Sequence, residues 1–385
     1  MRRCVAGAAV VIASGATLKG AHDCSYSEAY PQQYVAYKTS ELSASSLDGD
    51  LRKQAWKEVA WTKDFVDIST HTKPRLRTRA KLRWDNRFLY LAAELEEPQP
   101  WATLTEHNSV IFQDNDFEVF VDANATTHFY KEFEMNAFNT TWELCLNKPY
   151  EDGGYENSTR VFGAKGWAMG AFSCAAAVRP SAALNRPQHP GDAWTVEIAL
   201  PLQSLADQTG ARSPPSPGDF WRLSFSRVQW GLKVDSSTGQ YQKDPSCQSC
   251  PSPGAAKEDN WVWSPQYAIQ MHRPELWGIV QFTDAAVNTT PAAYYSEWPS
   301  RSAAIAIYYA QHAYASKHQG NFAAHLPDLA PFSSELFPLC DTADTVISVA
   351  GSGSSAMFEA TVRSPASYNF AATVRSDRFL TVEKI

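Results

Sequence analysis

The residues best suited to chemistry lie in the stretch IFQDNDFEVFVDANATTHFYKEFEMNAFNTTWEL, residues 111–144. Within DFEVFVD, Asp116, Glu118, Phe120 and Asp122 alternate with Phe117, Val119 and Val121, the two-residue period of an extended strand. EFEMNAF repeats the pattern, with Glu132, Glu134 and Asn136 opposite Phe133, Met135 and Ala137. If the two strands pair, Glu118 shares a face with Glu134 and Asn136. Three readings fit such a face. It is solvated and neutralised across strands, with Arg79, Lys81 and Arg83 supplying the opposite charge. It holds catalytic carboxylates. Or it is the floor of a polar ligand site, since carboxylates, amides and Arg forks suit sugar hydroxyls, each of which both donates and accepts.

Sugars also present flat C–H faces that pack on aromatic rings, and 13 of the 385 residues are Trp. Trp101 lies in a loop just before the two strands and Trp142 just after them. Neither belongs to a clean core alternation, unlike Trp84 and Trp194. Glycoside hydrolysis would instead need two carboxylates about 5–9 Å apart, one of them protonated. Neighbouring Arg and Lys would favour the ionised form of Glu118 and Glu134 and so oppose that role. A haem-binding or protein-interaction sandwich is a third alternative, requiring inward Met or His ligands such as Met135. Cys247 and Cys250 in CQSC lack the second ligand pair of a structural zinc site, which favours a loop disulfide.

The elements that must position these residues are short alternating runs from Val35 to about Asp284, broken by Pro, Gly, Asn and Asp. TRAKLRWDNRFLYLAAELEE reads as a hairpin turning at Asp85-Asn86, and WTVEIALPLQSL, DFWRLSFSRVQW and LWGIVQFTD as further strands. This pattern predicts an all-β antiparallel β-sandwich, jelly-roll or immunoglobulin-like. Loops at 150–166 and 231–259 interrupt it. After Asn288 the period changes: Ala303, Ile307, Ala310 and Tyr314 recur at helical spacing with Gly320 as a stop, and the tail reads as a small strand meander. The expected domains are the sandwich at 35–284 and a small α+β C-terminal extension at 292–385.

The ordered set LDGDLRKQAWKEVAWTKDFVDI, RAKLRWDNRFLYLAAELEEP, WATLTEHNSVIFQDNDFEVFVD, FEMNAFNTTWEL, WTVEIALPLQSL, WRLSFSRVQW and NWVWSPQ…MHRPELWGIVQF resembles the family 9 carbohydrate-binding-module-like domain over about residues 35–284. The resemblance implies a non-catalytic sandwich that binds a poly- or oligosaccharide and accompanies glycoside hydrolases. It implies that Trp rings clamp a terminal sugar while charged and amide side chains bond its hydroxyls. Trp101 and Trp142 match the aromatic positions, with Glu118, Glu134, Asn136 and Arg227 as polar contacts. Family modules also carry structural calcium, for which Asp114, Asp116 and Asp122 offer oxygen ligands, although their spacing forms no recognised calcium loop.

The ends and the bulk charge add context. MRRCVAGAAVVIASGATLKGA has two arginines before an apolar run, the pattern of a signal peptide over residues 1–21. Sequons at Asn124, Asn139, Asn157 and Asn288 suit a secreted glycoprotein, and removal of Cys4 would leave six cysteines for disulfides. A glycan on Asn139 would stand close to the acidic floor. A formal charge of −7 without a basic stripe argues against nucleic acid. No later apolar run is long enough for a membrane span.

Overall fold

The computed structural model describes residues 30–246, 257–340, 343–364 and 369–385. Its strands in chain order begin with β1 (Gln33–Lys38), β2 (Val66–Asp67), β3 (Thr78–Trp84), β4 (Phe88–Glu96), β5 (Asp116–Asp122), β6 (Tyr130–Asn136) and β7 (Thr141–Leu146). They continue with β8 (Glu156–Asn157), β9 (Ser173–Arg179), β10 (Ala193–Pro201), β11 (Phe220–Trp230), β12 (Leu232–Val234) and β13 (Tyr241–Lys243). The last six are β14 (Glu258–Val262), β15 (Gly278–Thr283), β16 (Asp344–Ala350), β17 (Met357–Arg363), β18 (Phe370–Arg375) and β19 (Leu380–Lys384).

Local chemistry explains the hairpin that the sequence marks. Asp85 Oδ1 accepts the backbone N–H groups of Arg87 at 2.6 Å and Phe88 at 2.7 Å, closing the turn between β3 and β4. Leu82 and Trp84 then face inward, and so do Leu89 and Leu91, in one apolar cluster with Trp194, Val196 and Ile198 of β10. Phe117, Val119, Phe133 and Met135 from β5 and β6 join the same cluster. Strand alternation thus sends one face of each half of the sheet to a shared core and leaves the other face outward.

The large sheet runs β8-β7-β6-β5-β11-β15-β1-β3-β4-β10-β9, with β14 and β2 attached beside β11, and curls so that its two halves share that core. It is mixed. β1 pairs in parallel with both β15 and β3, which corrects the expectation of an antiparallel sandwich. The physical reason is connectivity: about forty residues separate β1 from β3, long enough for the crossover that parallel pairing demands. Alternation within a strand carries no information about its neighbour's direction.

Beyond β15, a helix at Trp298–Lys317 packs on a four-stranded antiparallel sheet in the order β16-β17-β18-β19. Ala304 and Ile307 of the helix share a cluster with Phe358, Ala360 and Val374 of that sheet, with Ile279 of the large one and with Leu276 in the turn before β15. At the helix end, Gly320 takes φ +83° and its N–H bonds to Ala315 O at 3.0 Å, the left-handed stop that glycine provides.

A buried charge cluster fixes the C-terminal sheet to the rest. Arg378 lies 2.9 Å from Glu151, 3.0 Å from Asp152 and 3.2 Å from Glu275, with the Tyr308 ring 4.8 Å below its guanidinium. Burial alone would raise the Glu275 carboxyl, yet Arg378 and Arg273 hold it below its usual range. No helix among the described residues is long and apolar enough to cross a membrane. Cys145 and Cys174 are free thiols, which removes two of the six cysteines expected to pair. Cys24, Cys247, Cys250 and the expected signal peptide lie outside the described residues.

Candidate functional site

Register places the polar faces side by side. Glu118 on β5 pairs with Glu134 on β6, Glu134 pairs with Trp142 on β7, and Ser226 on β11 flanks Glu118 on the other side. One row across four strands therefore reads Trp142, Glu134, Glu118, Ser226. The next rows add Glu132 opposite Phe120, and Asn136 opposite Asp116. All of these project from the outward face, because their neighbours Phe117, Val119, Phe133 and Met135 occupy the core.

A cleft of about 250 Å³ opens over this face. Glu118, Glu132 and Glu134 line its floor, and its walls carry Phe112, Trp142, Tyr150, Asn260 and the segment Ile269–His272. Trp142 is anchored by its indole N–H, which donates to Glu156 Oε1 at 3.2 Å, and Arg160 lies 5.1 Å over its ring. Phe112 lies 6.4 Å from Trp142 between ring centres. Tyr150 is 42% exposed and meets His272 edge-on at 4.7 Å, so it offers the more open ring. Tyr130 OH lies 2.9 Å from His272 Nδ1, and burial pulls the His272 pKa down to about 4, leaving that ring neutral.

The electrostatics of the floor differ from expectation. Arg79 pairs with Glu94, Lys81 donates to Trp56 O, and Arg83 binds Tyr37 O and Ala55 O, all on the outward side of the opposite half. Among the described residues no Lys or Arg lines the cleft. Burial, reinforced by the neighbouring carboxylates, pushes Glu132, Glu134 and Asp116 well above the usual carboxyl range and Glu118 up to about 7. One oxygen each from Asp116, Glu118 and Glu134 lie within 4.8 Å of one another.

The remaining expected site residues scatter. Trp101 is buried in a loop whose Ala102 exchanges hydrogen bonds with Asn185, and it does not line the cleft. Arg227 points the other way from Ser226, into the interior, where it pairs with Glu97 at 3.0 Å and bonds Thr78 and Gln229. Asn136 locks the β6–β7 turn: its Oδ1 accepts the N–H of Phe138 and Thr140 at 3.0 Å each, and its amide donates to Leu104 O and Asp114. Asp114 accepts from the N–H of Thr103 and Leu104, while Asp122 accepts from Thr126 and Thr127 at the far end of β5. The triad Asp114, Asp116 and Asp122 is therefore not a cation site: six residues of strand separate Asp116 from Asp122 by about 20 Å. Asn139 is exposed at the tip of the turn and is not among the residues lining the cleft.

Phe112, Glu132, Tyr150, Asn260 and His272 were not singled out as site residues by the sequence. Glu132 carried a usable signal, two positions from Glu134 on the same face. Asn260 lies in the middle of β14, while Phe112, Tyr150 and His272 sit in turns or loops, where spacing does not report direction.

Residues 47–213 match the family model described as carbohydrate family 9 binding domain-like. A family 9 carbohydrate-binding module from Caldicellulosiruptor kristjanssonii, solved with cellotriose, is 16% identical with TM-score 0.40, covering 68% of this chain and 99% of the other. Its complex with glucose gives the same identity and score, with 68% and 100% covered. A putative carbohydrate-binding protein from Bacteroides uniformis is 13% identical with TM-score 0.44, covering 66% and 99%. No curated protein matches the sequence.

Proposed function

We propose that the segment matching the family 9 carbohydrate-binding-domain-like model works as such a module, and that the cleft over β5, β6 and β7 binds a saccharide without cleaving it. The observation that carries this reading is the pairing of a carboxylate floor with an aromatic wall inside the matched segment. Glu118, Glu132 and Glu134 accept hydroxyl protons, and Tyr150, Phe112 and the rim of Trp142 face the C–H surface of a ring. A volume of about 250 Å³ suits one or two sugar units, so a chain end fits better than a long internal stretch. An accessory role beside glycoside hydrolases, secretion and glycosylation belong to the same proposal. Titration of the folded protein with mono- and oligosaccharides tests it. Saturable heat that disappears in Tyr150→Ala supports the reading, and a flat trace across the panel defeats it.

Hydrolysis is favoured by one observation, the Glu118 pKa at about 7, near that of a working general acid. A glycosidase pair also needs a second carboxylate that stays ionised. Here burial drives all four acids upward together, so no ionised partner is set apart. Release of reducing ends that stops in Glu134→Gln would establish the enzyme reading instead. Met135, the inward methionine considered for haem, is fully buried in the apolar core beside Phe117 and Phe133.

A further inference from the structure

We infer that Asp116, Glu118 and Glu134 hold one divalent cation of the calcium class at the floor of the cleft. Three carboxylate oxygens within 4.8 Å of one another match ligands placed about 2.4 Å from a common centre. All three side chains are at least 97% buried. Buried carboxylates are ordinarily satisfied by Arg, Lys or several N–H donors. Elsewhere in this chain that rule holds: Glu97 has Arg227, Glu197 has Lys53, Trp56 and two backbone N–H groups, and Glu275 has Arg378.

The floor is the exception, and a second observation points to a ligand there. Asp116 Oδ2 and Glu118 Oε2 are buried and accept no hydrogen bond. Ser226 Oγ stands across from Glu118 on β11, is equally buried, and its hydroxyl offers that carboxyl a single neutral donor. Two orphaned carboxylate oxygens therefore share a floor that has no cationic side chain among its lining residues. Two further carboxylate oxygens are tied down, Asp116 Oδ1 by Val228 N–H and Glu134 Oε2 by Phe112 N–H, at 3.0 Å each, which orients those side chains. The donor set is all oxygen, without Cys or His, so it selects hard cations over zinc or copper.

The cation would open its remaining coordination positions toward the cleft, where two sugar hydroxyls could replace water, a step that rests on the proposed saccharide binding. Calorimetric titration of the chelator-stripped full chain with calcium chloride alone tests the cation site itself. One site per chain is expected, with affinity reduced at least tenfold in Glu118→Gln and in Glu134→Gln. Glu94→Gln, which alters a carboxylate on the opposite half, should bind as the parent does. Terbium offers an independent readout, because Trp142 pairs directly with Glu134 and should sensitise its luminescence. Circular dichroism of each variant separates a lost ligand from a lost fold. No binding up to ~10 mM calcium by a folded protein, or unchanged binding in Glu118→Gln, overturns the site. Repeating the sugar titration with calcium and with chelator separates the two claims. Calcium binding without any sugar binding defeats the saccharide reading alone; sugar binding by a chain that takes up no calcium defeats the cation site alone.

Discussion

Two regions of this molecule bury several carboxylates, and they resolve the cost in opposite ways. At the junction of the C-terminal sheet, Glu151, Asp152 and Glu275 surround Arg378, and Tyr308 and Tyr309 complete the network. On the cleft floor Asp116, Glu118, Glu132 and Glu134 lie together with no cationic side chain among the lining residues. The consequence shows in their ionisation. Glu275 is held below the usual carboxyl range despite full burial, although burial raises Asp152 beside it, whereas the floor acids are all pushed upward. A paired buried acid is architecture. An unpaired group of them is maintained against its own repulsion, and that is the mark of a binding site.

The comparison can be broken from either side, and the largest effect is expected at the junction. Arg378→Met should destabilise the chain by about 3–5 kcal/mol in denaturant unfolding, because it leaves the buried Asp152 without its counter-charge and Glu275 with only the more distant Arg273. A loss below 1 kcal/mol would mean that the network is not structural. Removing an acid from the floor should act in the opposite direction. Glu134→Gln, measured in chelator, should leave stability unchanged or raise it by about 1–3 kcal/mol, since it relieves like-charge crowding. Marked destabilisation would show that the floor is satisfied in some other way.

Ligand binding separates the regions next. Tyr150→Ala and Trp142→Ala should each weaken saccharide binding by about 1–3 kcal/mol, the scale of losing an anchor ring. Trp101→Ala and Arg227→Lys, both away from the cleft, should leave the affinity of the folded protein unchanged. The smallest effect is a pH dependence at the junction. Glu275 has a lowered pKa in the fold, so its stabilising contribution is present above the unfolded value of 4.5 and is lost as pH falls through the folded value. Thermal unfolding should therefore weaken below about pH 4.5, and Glu275→Gln should flatten that slope.

Much of this contrast was legible in the sequence, for reasons that also explain what was not. Period-two alternation fixed which residues of β5 and β6 share a face, so the row Glu118–Glu134–Trp142 followed once the strands paired. The same parity, applied along FSRVQW, would have turned Arg227 away from the face that Ser226 occupies. Distance along the strand would have separated Asp116 from Asp122. Tyr150 and Phe112 are a different case: they reach the cleft through single 3₁₀ turns, which leave no periodic trace. The pairing of β1 with β15 and the position of Arg378 beside Glu151 and Glu275 depend on contacts across 100 residues or more. Local pattern cannot specify those.

The central claim is that the acid-floored cleft, and not the buried Trp101 or Arg227, is where a saccharide binds. Calorimetric titration of one cello-oligosaccharide panel into the parent chain, Tyr150→Ala, Glu118→Gln and Trp101→Ala tests it most directly. The account predicts saturable binding to the parent and to Trp101→Ala, and weakening in the other two. Binding that survives in Tyr150→Ala and Glu118→Gln but fails in Trp101→Ala would contradict it.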